Sequence, residues 1–493
     1  MGNWRERLLL VKPESRVLIT YGMLLGVVAL HVLRLSHLNN DLIYRHSWGE
    51  SQYAMMAKAY QQKGFFWGTL QVDFYTAFTN YIPVSSLLAA LVSSVLHTDL
   101  VITGRSISYI FSLFTALYFY KLAGVIFKDR LKSATALFVF TIIPINLYFS
   151  MFFYNEPIHL FFIVLFCYLF IFKQSNGAEK YYYITISAAL FFVMVTKPTS
   201  VIFCLPLALP YIWQDLKRKQ VDYRELSSLL LPVLLVGGVI VLNRVMHPDH
   251  FRVESAKLID HEVLLNVGYY AVRMVKQLSF EFSGFIPLFL IGVCLLHKAP
   301  RAVAGFYLTS LCYVMFVILL IKGAVVHQYY SLPFVASFSI IVTFAVFKMT
   351  EMFAGAGAKL VLLLVVLAVF SPRIVNVKKA FANEYPKDIL EICDLIKKEK
   401  GHQRVLALGK GHMIFKYHFD IPSKYAIYEP DSAKLNLVKS YLNTQDFDYV
   451  IISNRLKGVN ESLRLERYQV IYKKDFTVYK SIQLPEPLPG RSL

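Results

Sequence analysis

The sequence predicts an α-helical polytopic membrane protein with about 11 transmembrane helices and a small C-terminal α/β soluble domain. Composition is the first observation behind this. Of 493 residues, 56% are apolar and only 17% are charged, and a water-soluble core of this size cannot hide so much apolar surface. The second is length: the apolar residues gather into runs of roughly 17–25, enough for a helix to cross the hydrocarbon layer. The third is a change of pattern in the last quarter, where short β-like runs replace the long apolar ones.

Candidate spans begin near Val17, Leu100, Ala134, Pro157, Tyr181, Ser200, Leu229, Gly284, Val303, Leu332 and Lys359. Lysine and arginine set their orientation, because cytoplasmic loops carry an excess of both. Arg5, Arg7, Lys12 and Arg16 precede the first span, and Lys128, Arg130 and Lys132 separate the second from the third. Lys217, Arg218, Lys219 and Arg224 follow the sixth. With the N-terminus inside, each basic cluster falls on the cytoplasmic side. The alternation requires Tyr81–Leu96, a short run with Pro83 and four serines, to be interfacial or re-entrant and not a span.

Residues 1–370 then form the membrane domain, with an outer loop at 36–98 carrying amphipathic helices. Residues 371–493 form the soluble domain on the non-cytoplasmic side, and the expected location is a bacterial-type inner (plasma) membrane. In that tail, Val405–Leu408, Tyr425–Tyr428, Tyr449–Ile452 and Val470–Tyr479 read as strands, and Ile389–Lys398 and Ala433–Leu442 as helices.

The net charge of +19 would raise nucleic acid as a partner in a soluble protein. Here the basic residues sit in short loops between apolar runs, so membrane lipids are the expected contact and nucleic acid is not. The five cysteines show no CxxC or Cys/His spacing, and neither a disulfide framework nor a zinc site is expected. The basic, polar stretch Met1–Arg16 precedes a run long enough to stay as a span, which argues against a cleavable signal peptide.

Acids at the outer membrane face are the informative residues, because a carboxylate near lipid is costly and usually functional. Glu50 lies in Ser47-Trp48-Gly49-Glu50-Ser51-Gln52-Tyr53-Ala54, where Tyr53, Met56, Ala57 and Tyr60 follow at helical spacing. Ser47-x-x-Glu50 also fits a capping box, in which the carboxylate only satisfies backbone donors. Glu156, in Tyr154-Asn155-Glu156-Pro157, fits the first turn of a helix with Asn155 as its N-cap. Both acids fall on the same membrane face. Arg45, His46, Lys63, Lys197 and the cluster His327-Gln328-Tyr329-Tyr330 fall at the same level, and Arg105 lies a few residues into a span. Snorkelling is the structural alternative for Lys197, and an aromatic belt for Tyr329 and Tyr330. Asp41 and Asp73 in the same outer loop read as solvated loop acids.

An outer loop with an acid running into Tyr53-Ala54 and an amphipathic helix resembles the GT-C fold glycosyltransferases, in the branch of protein O-mannosyltransferases and lipid A aminoarabinose transferases. Gly104-Arg105, Asn155-Glu156-Pro157, Thr196-Lys197-Pro198 and His327-Gln328-Tyr329-Tyr330-Ser331-Leu332-Pro333 resemble further motifs of that family in the same order. The family's usual Asp-Glu pair is Gly49-Glu50 here, so Gly49 stands where its catalytic Asp is expected.

The resemblance implies a GT-C-like membrane domain and a sugar donor linked to a polyprenyl phosphate. The acceptor is a hydroxyl or amine on a glycan, lipid or protein. A lipid phosphate leaves readily at neutral pH, so the transfer needs a base for the acceptor and cations for the departing phosphate. Glu50 and Glu156 are the expected catalytic pair, Glu50 as base and Glu156 orienting the acceptor or a divalent cation. Arg105, Lys197 and His327 are expected to hold the phosphate, with Arg45, His46, Lys63, Tyr329 and Tyr330 as further substrate contacts. No cofactor is required by this reading; a divalent cation is left open. The alternative is a secondary transporter or lipid flippase, which would place ionisable groups near the bilayer midplane and show internal repeats.

Overall fold

Apolar runs dictate helix, and the helices break where proline, glycine or a capping aspartate interrupts the run. The computed structural model describes residues 13–36, 38, 47–64, 69–72, 75–78, 82–150, 152–177, 180–246, 261–322, 328–352, 388–399, 403–409, 411–419, 421, 425–427, 432–445, 447–456, 459–463 and 465–482. Helix α1 (Pro13–Leu35) is followed by α2 (Ser47–Lys63) and a two-stranded sheet of β1 (Thr69–Val72) and β2 (Tyr75–Phe78). Next comes α3 (Val84–Leu96). The Asp99 carboxylate then accepts from the amides of Val101 and Ile102, both at 2.9 Å, and starts α4 (Leu100–Phe127). Asp129 does the same for α5 (Arg130–Ile142) through the Lys132 amide at 3.0 Å, and Pro144 restarts the chain as α6 (Pro144–Phe149).

The membrane part continues with α7 (Glu156–Asn176), α8 (Tyr182–Thr196), α9 (Val201–Arg218), α10 (Tyr223–Met246) and α11 (His261–Leu265). It ends with α12 (Val267–Phe282), α13 (Ile286–Cys294), α14 (Arg301–Leu319) and α15 (Val335–Met352). The tail holds α16 (Asp388–Lys397), β3 (Val405–Leu408), α17 (His412–Phe419), β4 (Ala426–Ile427) and α18 (Ser432–Thr444). Strand β5 (Tyr449–Ser453), α19 (Val459–Ser462), β6 (Tyr468–Lys473) and β7 (Phe476–Ser481) complete it.

The chain forms two compact units, Met1–Asn39 with Phe78–Lys379, and Asn40–Ala77 with Ala380–Leu493. In the first, α15 is buried along its whole first two-thirds, from Val335 to Val346. A helix apolar all round belongs at the centre of a bundle, and α5, α13 and α14 pack around this one. Helix α10 shows the opposite pattern. Leu230, Leu231, Leu234, Leu235, Val241 and Leu242 are exposed, a stripe suited to lipid chains.

Among the described residues seven helices are long and apolar enough to cross a membrane, or eight if one bent pair is a single span. The count expected from sequence was higher, and each difference has a local cause. The run from Ala134 is cut at Pro144, leaving α5 with 13 residues. The run from Tyr181 yields only the 15 residues of α8, because Pro198 ends it. The run from Gly284 is the second arm of a pair, α12 and α13, bent by 98° around Ser283–Phe285. The run from Lys359 lies outside the described residues. Helix α3 has 13 residues, about 20 Å at 1.5 Å per residue, too short to cross, in line with the interfacial reading of Tyr81–Leu96.

The bundle has two distinguishable ends. Arg16 of α1 bonds Asp129 at the α4–α5 turn (2.7 Å), and Lys132 pairs with Glu351 of α15 (3.4 Å). Lys173 pairs with Glu225 (2.5 Å) at the same end of α7 where the basic loops were expected. At the other end Arg105 donates to the Leu38 carbonyl at 3.1 Å. The alternation read from lysine and arginine therefore matches which helix ends meet.

In the second unit the sheet order is β4-β3-β5-β7-β6, parallel among β4, β3 and β5 and antiparallel from β5 through β7 to β6. The expected strand at Val470–Tyr479 is a hairpin, because Lys474 and Asp475 reverse the chain. Asp388 fastens that reversal, accepting from the amides of Asp475 (3.1 Å) and Phe476 (3.3 Å). Helix α17 was not foreseen. It opens at Gly409 and Gly411, whose φ angles of +98° and +104° suit glycine, and it packs against α2.

His412, in that helix, provides a pH dependence. Burial pushes its imidazole from 6.5 down to about 4, with a backbone hydrogen bond at Gly409 opposing the shift and the Lys416 cation adding to it. Above 6.5 the imidazole is neutral folded or unfolded. As pH falls towards about 4 only the unfolded chain takes up the proton, so stability is lost through that window. Hydrogen-exchange protection factors of β3 and β5 in the full chain, corrected for the intrinsic pH dependence of exchange, should fall from pH 6.5 to 4, and His412→Asn should flatten that response.

Candidate functional site

Glu156, Lys197, Tyr329 and Tyr330 come together at the end of the bundle away from the basic loops. Glu156 is in the first turn of α7 and only 5% exposed. Its helix has proline at the second position, where the missing N–H costs nothing. Lys197 sits between α8 and α9 in extended conformation, φ −163° and ψ 95°. Pro198 dictates this, since the residue before proline is driven out of the helical region. The Lys197 ammonium lies 4.0 Å from Glu156 Oε1. It also lies 4.6 Å from the centre of the Tyr329 ring and 4.3 Å from that of Tyr330. A cation placed over two aromatic faces gains about 0.5–2 kcal/mol from each. Snorkelling to water is thus not what Lys197 does.

The tyrosines are presented by the 3-10 turn Gln328–Phe334, which Pro333 helps to shape. Its floor is aromatic: Tyr313 stacks on Phe334 at 4.2 Å and donates to Ser331 Oγ at 2.8 Å. Phe149 meets Tyr329 edge-on at 6.4 Å. Tyr329 and Tyr330 are half-buried, and their rings pack against the bundle as well as against Lys197.

Asn155 does more than the N-cap role expected of it, and in a different place. It makes no cap hydrogen bond to its own helix. Its Oδ1 accepts from the Ser85 amide at 3.1 Å, and its Nδ2 donates to the carbonyls of Ile82 (3.3 Å) and Thr196 (3.2 Å). One side chain thus joins the start of α3, the start of α7 and the end of α8. The Ile82 amide adds a bond to the Val195 carbonyl at 2.8 Å. Gly104 lets α4 approach the same corner, because a Cβ there would stand 2.3 Å from the Phe153 ring.

Arg105 is buried, and one of its donors is occupied by the Leu38 carbonyl. Glu50 is fully buried in α2, which belongs to the other compact unit with the tail. Lys63 is the last residue of α2. Arg45, His46, His327, Asp41 and Asp73 lie outside the described residues.

Two buried groups were missed in the sequence. His159 follows Glu156 by three residues on the same face of α7; it is buried, and its Nε2 has no hydrogen-bond partner among the described residues. The Glu-x-x-His spacing is the signal that could have found it. Arg34 is enclosed near the end of α1, donating to His31 Nδ1 (3.2 Å), Ser112 Oγ (3.3 Å) and the Thr141 carbonyl (3.2 Å). Glu156 and His159 could ligate a cation together, but among the described residues no group of three or more histidine, cysteine or acidic side chains is assembled to hold one.

No protein-family model and no curated protein matches the sequence. Solved structures do. ArnT from Cupriavidus metallidurans bound to undecaprenyl phosphate aligns with a TM-score of 0.65 at 12% identity, over 93% of this chain and 98% of that one. The Archaeoglobus fulgidus oligosaccharyltransferase AglB, in complex with an inhibitory peptide and a dolichol-phosphate, aligns at 0.58 and 11% identity, over 95% and 75%. The chain therefore shares its fold with these two structures over most of its length.

The Asn155 staple can be tested directly. Asn155→Ala leaves Ile82, Thr196 and Ser85 short of partners in a place water does not reach, and should cost about 2–3 kcal/mol. The check is a lowered unfolding temperature of the purified full chain, with Asn155→Asp, which keeps the acceptor, falling between.

Proposed function

We propose that this chain is a membrane glycosyltransferase that moves a sugar from a polyprenyl-phosphate-linked donor to an acceptor hydroxyl or amine at the non-cytoplasmic face. The observation that carries this reading is the Lys197 ammonium held between Glu156 and the rings of Tyr329 and Tyr330. The near end-to-end likeness to a structure bound to undecaprenyl phosphate supports the donor class. The side of the membrane follows from the basic loops at the opposite end of the bundle.

In this reading a base takes the acceptor proton, the freed oxygen or nitrogen attacks the anomeric carbon, and the bond to the phosphate oxygen breaks. The phosphate departs with the electron pair and needs a cation beside it. Lys197 supplies that cation, and the tyrosine rings keep it in place while the phosphate approaches. Glu156 holds Lys197 in the resting site and orients the acceptor once the phosphate has taken the lysine. Glu50 is the base. Arg105 and His327 complete the phosphate contacts, with Arg45, His46 and Lys63 as further substrate contacts. No step of the transfer is assigned to a metal. The soluble tail is read as the support of the Glu50 helix, since α17 packs against α2.

The test is turnover of the purified chain in liposomes with a panel of polyprenyl-phosphate-linked sugars, followed by release of the polyprenyl phosphate. Glu50→Gln should lower turnover by about 10²–10⁴-fold, the usual worth of a general base. Lys197→Met should lower kcat by about 10²-fold, with Lys197→Arg recovering part of it. Wild-type rates in both Glu50→Gln and Lys197→Met would overturn the assignment, as would the absence of turnover with every donor.

A further inference from the structure

A cavity at the opposite end of the bundle has no part in this chemistry. It lies between the last turns of α4 and α7, has a volume of about 490 Å³, and is lined by Lys121, Gly124, Lys128, Tyr168, Ser175 and Asn176 among others. Glu156 is at the far end of α7, 20 residues away, or about 30 Å along the helix. We propose that this cavity is a binding site for the phosphate of an anionic membrane lipid headgroup.

Charge is the first argument. Among the described residues neither Lys121 nor Lys128 takes part in an ion pair, whereas the acids around them are engaged. Asp129 pairs with Arg16, Glu351 with Lys132 and Lys348, and Glu225 with Lys173. Lys121 keeps its ammonium 4.8 Å above the Tyr118 ring. Lys128 ends α4 in the left-handed region, φ 50°, with its amide bonded back to the Gly124 carbonyl at 3.0 Å. Hydroxyls from Tyr168 and Ser175 and the Asn176 amide add neutral donors to the same space. Two cations with several neutral donors and no carboxylate in the lining suit a phosphate ester.

Depth and shape point to a lipid as its source. The 28 residues of α4 extend about 42 Å, longer than the ~30 Å hydrocarbon layer. Lys121 and Lys128 therefore bracket the headgroup region. Leu113 and Leu117 precede Lys121 at four-residue steps on the same helix face, and both are exposed, as are Ile110 and Phe114 beside them. The face is apolar where acyl chains run and cationic where a headgroup sits.

The experiment uses the full chain in phosphatidylcholine nanodiscs containing a minor fraction of labelled phosphatidylglycerol, with lipid retention read by native mass spectrometry. The wild type should retain phosphatidylglycerol over phosphatidylcholine, and Lys121→Gln/Lys128→Gln should lower that preference about tenfold. Lys217→Gln/Lys219→Gln, on another basic loop, should leave it unchanged, and Lys121→Arg/Lys128→Arg should preserve it. Excess inorganic phosphate should not displace the lipid; displacement would mean a site for free phosphate and overturn the lipid assignment. An unchanged preference in Lys121→Gln/Lys128→Gln, or an equal loss in the Lys217→Gln/Lys219→Gln control, would overturn the site itself. Both lysines are exposed, so the variants should elute and melt as the wild type does.

Discussion

A helix that ends inside a bilayer leaves amides and carbonyls with no water to bind, and each such group must be answered by the protein. At the candidate site three helix ends meet, and Asn155, just ahead of α7, answers the groups of the other two with a single side chain. The rest of the site depends on this. The same bonds that satisfy Ile82, Ser85 and Thr196 fix where Glu156 begins α7 and where the chain turns at Lys197. A carboxylate and an ammonium 4.0 Å apart could not be kept in that relation by their mutual attraction alone. Their desolvation offsets much of it, so the backbone around them has to be held first.

The sequence revealed part of what rests on local chemistry. The strands Val405–Leu408 and Tyr449–Ile452 were legible from their apolar runs, whereas the helix boundaries at Asp99, Asp129 and Pro144 were not read. Lys197 and the Tyr329-Tyr330 pair were singled out separately, more than 130 residues apart, and the fold brings them into contact. What else escaped notice depended on tertiary partners. Asn155 looks like an N-cap in any single-sequence reading, and only the approach of α3 and α8 gives its amide better partners. The span count of about 11 is not confirmed among the described residues, for a related reason. An apolar run signals burial in lipid or protein but does not say whether the helix inside it is continuous, and the 98° bend after Phe282 is invisible to hydropathy.

Charge distribution supplies the frame that the span count could not. Arg16 and Lys132 each find an acid at one end of the bundle in partly exposed pairs, where an ion pair contributes little to stability, and Lys173 finds the buried Glu225 at the same end. Their value is positional. They mark the headgroup level, and they leave Lys121 and Lys128 as cations without a carboxylate of their own among the described residues. At the other end the arrangement is inverted: few charges, deeply buried, with aromatic rings around the ammonium in place of water. A lysine in that setting is weakly hydrated, which suits the phosphate contact proposed for it.

The grouping of α2 with the tail sets what holds the Glu50 helix. Glu50 is fully buried, yet the helix that carries it belongs to the same compact unit as the α/β sheet. Gly409 and Gly411 set the direction of α17 as it leaves β3, and α17 packs against α2. Anything that strains the sheet therefore reaches the Glu50 helix through one packed interface within that unit. The carboxylate read as the base thus stands on an element packed with the α/β sheet, and the cation read as the phosphate ligand follows Thr196, whose carbonyl Asn155 holds.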